Sequence, residues 1–221
     1  MTQALILSGG GRYADPWHPF GDTSACLAGV LEKQGIRVEV SDHVDDRLED
    51  LSEVDLLVVN AGDPSPDDPA PTPLVGARAG LLSYLGRGGA VLSMHAAASS
   101  LPGIPEWESV MGGRWVRGVA MHPAAGLAQV RVYPQRHPIV ATSESFVLHD
   151  ERYSYLRVSP DVVPLATHEH DDIEHPLIWA RRYGNARVVY DGLGHDPRSY
   201  DSPEHREIVA RAARWLLGAL E

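Results

Sequence analysis

The chain has 221 residues, a length that fits one large α/β domain better than two small ones. Hydrophobic residues make up 43% of it, enough for a core without covalent staples, and the single cysteine, Cys26, excludes an intrachain disulfide or a multi-cysteine zinc or iron–sulfur site. Nineteen Lys and Arg against thirty Asp and Glu leave a net charge of −11, so nucleic acid and anionic membranes find no general attraction here.

The opening apolar run is too short for a signal-peptide core and has no basic leader, and no stretch approaches the roughly 18 apolar residues of a membrane span. A soluble, cytoplasmic protein of one domain, residues 1–221, is the expectation. Ala4-Leu5-Ile6-Leu7 is a buried strand that runs into Ser8-Gly9-Gly10-Gly11. Thr23 to Lys33 has helical spacing, Gly35 stops it, and Ile36 to Val40 is a second strand, which completes a βαβ unit. Asp55 to Asn60 is the next buried strand. The prolines 64, 66, 69, 71 and 73 then make a surface flap. Leu74 to Leu85 is a helix, and Ala90 to Met94 returns to the sheet and ends at His95.

Residues 96–149 are less regular, with sheet pieces at Gly112 to Trp115 and Val130 to Tyr133, and an antiparallel extension is expected there. Leu177 to Ala180 and Ala186 to Tyr190 form a hairpin that turns at Gly184-Asn185. Pro203 to Leu217 closes the chain as a helix with Ile208, Val209, Ala212, Trp215 and Leu216 on one stripe. The whole pattern is α/β: a doubly wound, mostly parallel sheet with an antiparallel extension.

Such sheets bind ligands in the crevice outside the carboxyl ends of their strands. His18 follows the first strand, His95 the fourth, and His195 the late hairpin, so three histidines from distant parts of the chain should meet at one edge. His122 and the cluster His149-Asp150-Glu151, with Tyr153 and Tyr155 beside it, add further polar groups from the irregular section. Each also has a bland reading: His18 as loop decoration, His122-Pro123 as an ordinary turn, Asp150-Glu151 as a solvated helix cap, His195 as a turn residue. His95 is the sharpest, because a strand-to-helix junction exposes a reactive side chain.

Thr167 to His175 carries three histidines beside Asp171-Asp172, and without apolar anchoring it is taken as a solvated loop. No Gly-Lys-Ser/Thr follows the glycines after the first strand, so they are no P-loop. Gly9, Gly11 and Ala14 meet a relaxed dinucleotide fingerprint, but Asp15-Pro16-Trp17-His18-Pro19 breaks the helix it needs. A Gly-x-Ser-x-Gly elbow is absent, which counts against an ordinary serine hydrolase.

Several stretches together resemble the ThuA-like, or trehalose-utilisation, family, whose fold is similar to that of class I glutamine amidotransferases. They are His137-Pro138-Ile139, Asp150-Glu151-Arg152-Tyr153, Pro176 to Trp179, Tyr183 to Val188, Leu193-Gly194-His195-Asp196 and Trp215, with looser agreement at Gly9 to Gly11, His18-Pro19-Phe20, Gly88 to Val91, His95-Ala96, Gly112-Gly113 and His122-Pro123. The resemblance implies a flavodoxin-like fold over nearly the whole chain. In a class I amidotransferase the elbow carries a cysteine nucleophile. Here it holds His95, while Cys26 falls on the first helix, on its expected buried face, so thiolate amide hydrolysis is excluded as the activity.

The resemblance also implies a disaccharide or 3-keto-sugar substrate. A 3-keto group acidifies its neighbouring C–H, so acid–base chemistry can open the glycosidic bond, with or without a metal. His95, Glu151 and His195 are the expected catalytic groups; His18, Asp150 and Tyr153 the substrate contacts; and His18, His95 and His122 the ligands of one divalent metal, zinc or similar. The alternative is a non-catalytic, amidotransferase-like domain that binds a sugar or a protein. A homo-oligomer is compatible with either, with Trp107 and Trp115 as interface candidates.

Overall fold

Ala4 to Leu7 and Leu56 to Val59 are entirely buried, as strands covered on both faces must be. In the computed structural model, which describes residues 1–63 and 74–221, these runs are interior strands in the parallel half of a nine-stranded sheet. The proline-rich flap expected over 64–73 lies outside the described residues.

In chain order the elements are β1 (Gln3–Ser8), α1 (Phe20–Glu32), β2 (Arg37–Ser41), α2 (Val44–Glu49), β3 (Leu56–Asn60), α3 (Val75–Gly86) and β4 (Ala90–Met94). There follow α4 (Trp107–Met111), β5 (Gly113–Arg114), β6 (Gly126–Val132), β7 (Phe146–Asp150), β8 (Arg157–Val158), β9 (Val163–His170), β10 (Ile173–Tyr183), β11 (Ala186–Asp191) and α5 (Pro203–Leu216). The large sheet has the order β2-β1-β3-β4-β11-β10-β9-β6-β7, and β5 pairs with β8 in a small separate one. Strands β2, β1, β3, β4 and β11 run parallel, in the flavodoxin-like pattern, and the rest are antiparallel to their neighbours.

The doubly wound sheet with an antiparallel extension is therefore present. Helices cover both faces: Leu27, Val30 and Leu31 of α1 share one core with Ile208, Val209 and Ala212 of α5, while Leu48 of α2, Leu81 of α3 and Val110 of α4 fill the other. The side chain of Ser202 caps α5 by accepting from the N–H of His205 at 3.2 Å. Among the described residues no helix is long and apolar enough to cross a membrane.

Two features differ from expectation. Residues 167–175 are not a solvated loop but the tip of the β9–β10 hairpin, with His168 and His175 buried and stacked at 5.3 Å between ring centroids. The turn uses Asp171 and Asp172 at φ 53° and 59°, a two-residue connection with both residues left-handed, which aspartate tolerates better than most residues. The short helix α2 also escapes the sequence pattern, since six residues are too few to show a period.

Strand direction decides where the site can form. Each antiparallel step reverses the chain, so the four steps from β11 through β10, β9 and β6 bring β7 back to the direction of β4 and β11. The carboxyl end of β7 thus faces the same edge as those of β1, β4 and β11. Register shifts in β10 between Pro176 and Trp179 bend the extension, and the Gly194 N–H after β11 donates to Asp150 of β7 at 2.9 Å.

A candidate metal and active site at the carboxyl edge of the sheet

After β1 the chain makes a tight turn around one carboxylate. Asp15 Oδ1 accepts from the backbone N–H of Trp17 at 2.9 Å and of His18 at 2.8 Å, while Oδ2 lies 2.7 Å from His18 Nδ1. Burial pushes the Asp15 carboxyl up, but the hydrogen bond from His18 and its charge outweigh that and hold it below the usual range.

His95 leaves β4 at φ 36°, a left-handed conformation costly for a side chain with a Cβ. It is held there from both ends: the Tyr190 hydroxyl donates to the His95 carbonyl at 3.1 Å, and His95 Nδ1 donates to the Gly192 carbonyl at 2.7 Å. A carbonyl can only accept, so the proton sits on Nδ1 and Nε2 keeps its lone pair. The Asp15 carboxylate does the same for His18.

Glu151 follows β7 and presents its two oxygens in different directions. Oε2 lies 3.3 Å from His95 Nε2 and 3.4 Å from His195 Nδ1, and Oε1 lies 2.9 Å from His122 Nδ1. Burial raises the Glu151 carboxyl, but the close approach of His95, with His195 and His122 around it, brings it below its ordinary value. Burial pushes the His95 imidazole down, and Glu151 with Asp150 more than reverses this, so its value is raised. His195 is lowered, first by burial and then by the neighbouring His95.

His18, His95, Glu151 and His195 each offer a donor atom, and these four atoms lie within 4.8 Å of one another. Among the described residues His95 Nε2 and His195 Nδ1 are buried with no hydrogen-bond partner, an arrangement that is costly unless something else receives their lone pairs. Three imidazoles, of which His18 and His95 have their tautomers set by an acceptor behind the ring, and one carboxylate fit a divalent cation, zinc or a similar metal, and Asp15 and the Gly192 carbonyl are the second-layer acceptors that such ligands use.

The site residues expected from sequence therefore divide. His18, His95, Glu151 and His195 converge. Tyr153 borders them, its ring 4.1 Å from that of His95 and its hydroxyl 3.5 Å from His18 Nε2, and burial holds its phenol protonated well above the ordinary range. His122, expected as a ligand, stands outside the four: its side chain is 40% exposed and meets the Glu151 oxygen that faces away from them. Asp150, expected to touch substrate, is buried and spends its carboxylate on the backbone N–H groups of Glu151, Gly194 and His195 at 2.8, 2.9 and 3.2 Å. It fixes the two chain segments that supply Glu151 and His195.

Sequence reasoning missed Asp15, noted only as part of a helix-breaking run, although an Asp three residues before a candidate ligand is a turn signal. It also missed Asp191 and His205. Asp191 Oδ1 accepts from Leu193 N–H at 3.0 Å and Oδ2 meets His205 Nε2 at 3.1 Å, which anchors the loop carrying Gly192 and His195. Cys26, at intermediate burial on α1, packs against the core and takes no part in the cluster.

A cavity of about 650 Å³ opens onto these groups, lined among others by His18, Glu151, Tyr153, His195, Trp17 and Trp115. That volume lies in the range of small-molecule sites.

A family model described as ThuA, trehalose utilisation, matches residues 4–216. A solved structure described as a ThuA-like protein, from Parabacteroides merdae ATCC 43184, is 20% identical, covers 99% of this chain and 91% of its own, and superposes with a TM-score of 0.81. A second, from Bacteroides uniformis ATCC 8492, is 18% identical over 97% of this chain and 91% of its own, with a TM-score of 0.75. The fold also recurs within the β-galactosidase of Rahnella sp. R3, where it spans 31% of that chain and 97% of this one at 17% identity and a TM-score of 0.65. No curated protein matches. The family match extends over almost the whole length and includes every residue of the candidate site, and the chain belongs to the ThuA trehalose-utilisation family.

Proposed function

We propose that the protein is an enzyme of carbohydrate metabolism that opens the glycosidic bond of a disaccharide bearing a 3-keto group, by acid–base chemistry at Glu151 and its histidine neighbours. The observation that carries this reading is the Glu151 carboxylate, whose Oε2 faces the buried imidazoles while Oε1 faces the partly exposed His122. Family membership supports the carbohydrate class. The strand topology supports reading residues 1–221 as one domain, since β11 from the second half pairs with β4 from the first.

A ketone at C3 acidifies the C2–H bond. Glu151, kept ionised by its neighbours, together with His122 accepts that proton; the C2–H electron pair forms the C1=C2 bond and the C1–O bond to the second sugar breaks. The proton passes to the departing oxygen. Water then adds across C1=C2, with hydroxyl at C1 and hydrogen at C2, so the net reaction is hydrolysis. His122 suits the proton transfers because Glu151 engages its Nδ1, which leaves Nε2 to exchange a proton. Tyr153, held protonated, is a hydrogen-bond donor toward a substrate oxygen. His18, His95, His195 and Glu151 Oε2 would hold a divalent cation, which supplies Lewis-acid stabilisation of charge on a carbonyl oxygen.

Turnover of 3-keto-disaccharides by untagged protein tests this reading. It predicts release of a free sugar by the wild type and a loss of on the order of a hundredfold or more in Glu151→Gln. Full turnover in His95→Ala would remove the assigned centre. Sugar binding with no product after long incubation would favour the non-catalytic alternative instead.

A further inference from the structure

Asp15 holds two neighbouring residues in one turn: the imidazole and backbone N–H of His18 and, one residue earlier, the backbone N–H of Trp17. Trp17 is 71% exposed, whereas Trp107, Trp179 and Trp215 are buried and Trp115 is half-buried. A large aromatic ring that is held in water and also lines a cavity has an apolar face free to meet a ligand there. The turn that carries it is pinned by the same carboxylate that orients a candidate metal ligand, so the backbone at Trp17 sits at a fixed offset from the chemistry.

The cavity has a second aromatic wall. Trp115 packs edge-on against Tyr153 at 4.5 Å, and Tyr153 packs on His95, so these rings lie beside the buried cluster. Trp17 lines the same cavity from its exposed side, and the ion pair of Arg117 with Asp63 adds donors and acceptors there. A pyranose ring matches this combination, since its C–H face is apolar and its rim carries hydroxyls.

We propose that Trp17 is the outer subsite of the cavity and stacks on the second sugar ring of a disaccharide, the ring that departs, while Trp115 and Tyr153 border the first. The proposal rests on the carbohydrate reading above and extends it to a preference for two linked rings over one.

Calorimetry with unoxidised trehalose and with methyl α-glucoside tests it, because neither has the ketone needed for turnover and binding is read alone. The wild type is expected to bind trehalose more tightly than methyl α-glucoside. Trp17→Ala should weaken trehalose about five- to tenfold more than methyl α-glucoside, the scale of one aromatic contact, with Trp17→Phe recovering most of the difference. Metal content should match the wild type, which shows that the turn around Asp15 is intact. Equal trehalose affinity in wild type and Trp17→Ala, or equal losses for both sugars, would overturn the subsite while leaving the carbohydrate reading standing. Binding of neither sugar by the wild type would also overturn the subsite, while the carbohydrate reading stands or falls separately on turnover of the 3-keto-disaccharide.

Discussion

His95 Nδ1 donates to the Gly192 carbonyl at 2.7 Å, and that one bond joins the junction after β4 to the loop after β11 and turns the His95 Nε2 lone pair toward Glu151. The bond helps explain why a residue with φ 36° persists at the end of β4: strain of about 1–3 kcal/mol must be offset by contacts that fix the residue from several sides. Tyr190 supplies another such contact at the His95 carbonyl.

The same logic at His18 gives a first prediction. Asp15→Asn removes the anion that polarises His18 Nδ1–H while keeping the size of the side chain. Affinity for the divalent cation should fall about 10- to 100-fold, read by competition with a chromogenic chelator. Unchanged affinity would show that His18 is not held as a ligand.

His122 separates ligation from proton transfer. Its side chain is 40% exposed and lies outside the four converging donors, so His122→Ala should keep the metal content of the wild type. Turnover of a 3-keto-disaccharide should drop by roughly 10²- to 10⁴-fold. Loss of metal together with activity would instead return His122 to the ligand set.

A third prediction concerns stability. His205 is fully buried against Asp191, and although burial alone lowers its pKa, the Asp191 carboxylate outweighs this and the value is raised. A raised value in the folded chain means that the pair stabilises fully below the unfolded value of about 6.5, and that this contribution is lost as pH rises through the folded value. The melting temperature should therefore fall with rising pH above about 6.5. His205→Gln should flatten that slope and lower stability by about 3–5 kcal/mol, because Asp191 is left buried without its partner. An equally steep slope in the variant would contradict the assignment.

The parallel half of the fold was legible in the sequence because strands buried on both faces are unbroken apolar runs, and β4 from Ala90 to Met94 matches its expected bounds. The tip of the hairpin at residues 163–183 was hidden by its polar content: His168, His175 and the two left-handed aspartates resemble solvated loop, and the two histidines are buried by pairing with each other across β9 and β10 and by meeting the Tyr153 carbonyl and the Tyr155 N–H. At the site, the rule that ligands gather at carboxyl ends of strands located His18, His95 and His195. Which role each group takes was not legible. That division depends on the Glu151 carboxylate reaching His122 with one oxygen and the buried imidazoles with the other, and on Asp150 turning into the backbone, and side-chain direction across a curved sheet leaves no mark in residue order.

The central claim is that three imidazoles and Glu151 are arranged for a divalent cation. Calorimetric titration of zinc and manganese into untagged, chelator-treated protein tests it most directly, with His95→Ala and Glu151→Gln alongside. The account predicts one equivalent of at least one of these cations bound by the wild type, with affinity falling at least tenfold in both variants. Binding to neither cation, or equal affinity in all three proteins, would contradict it.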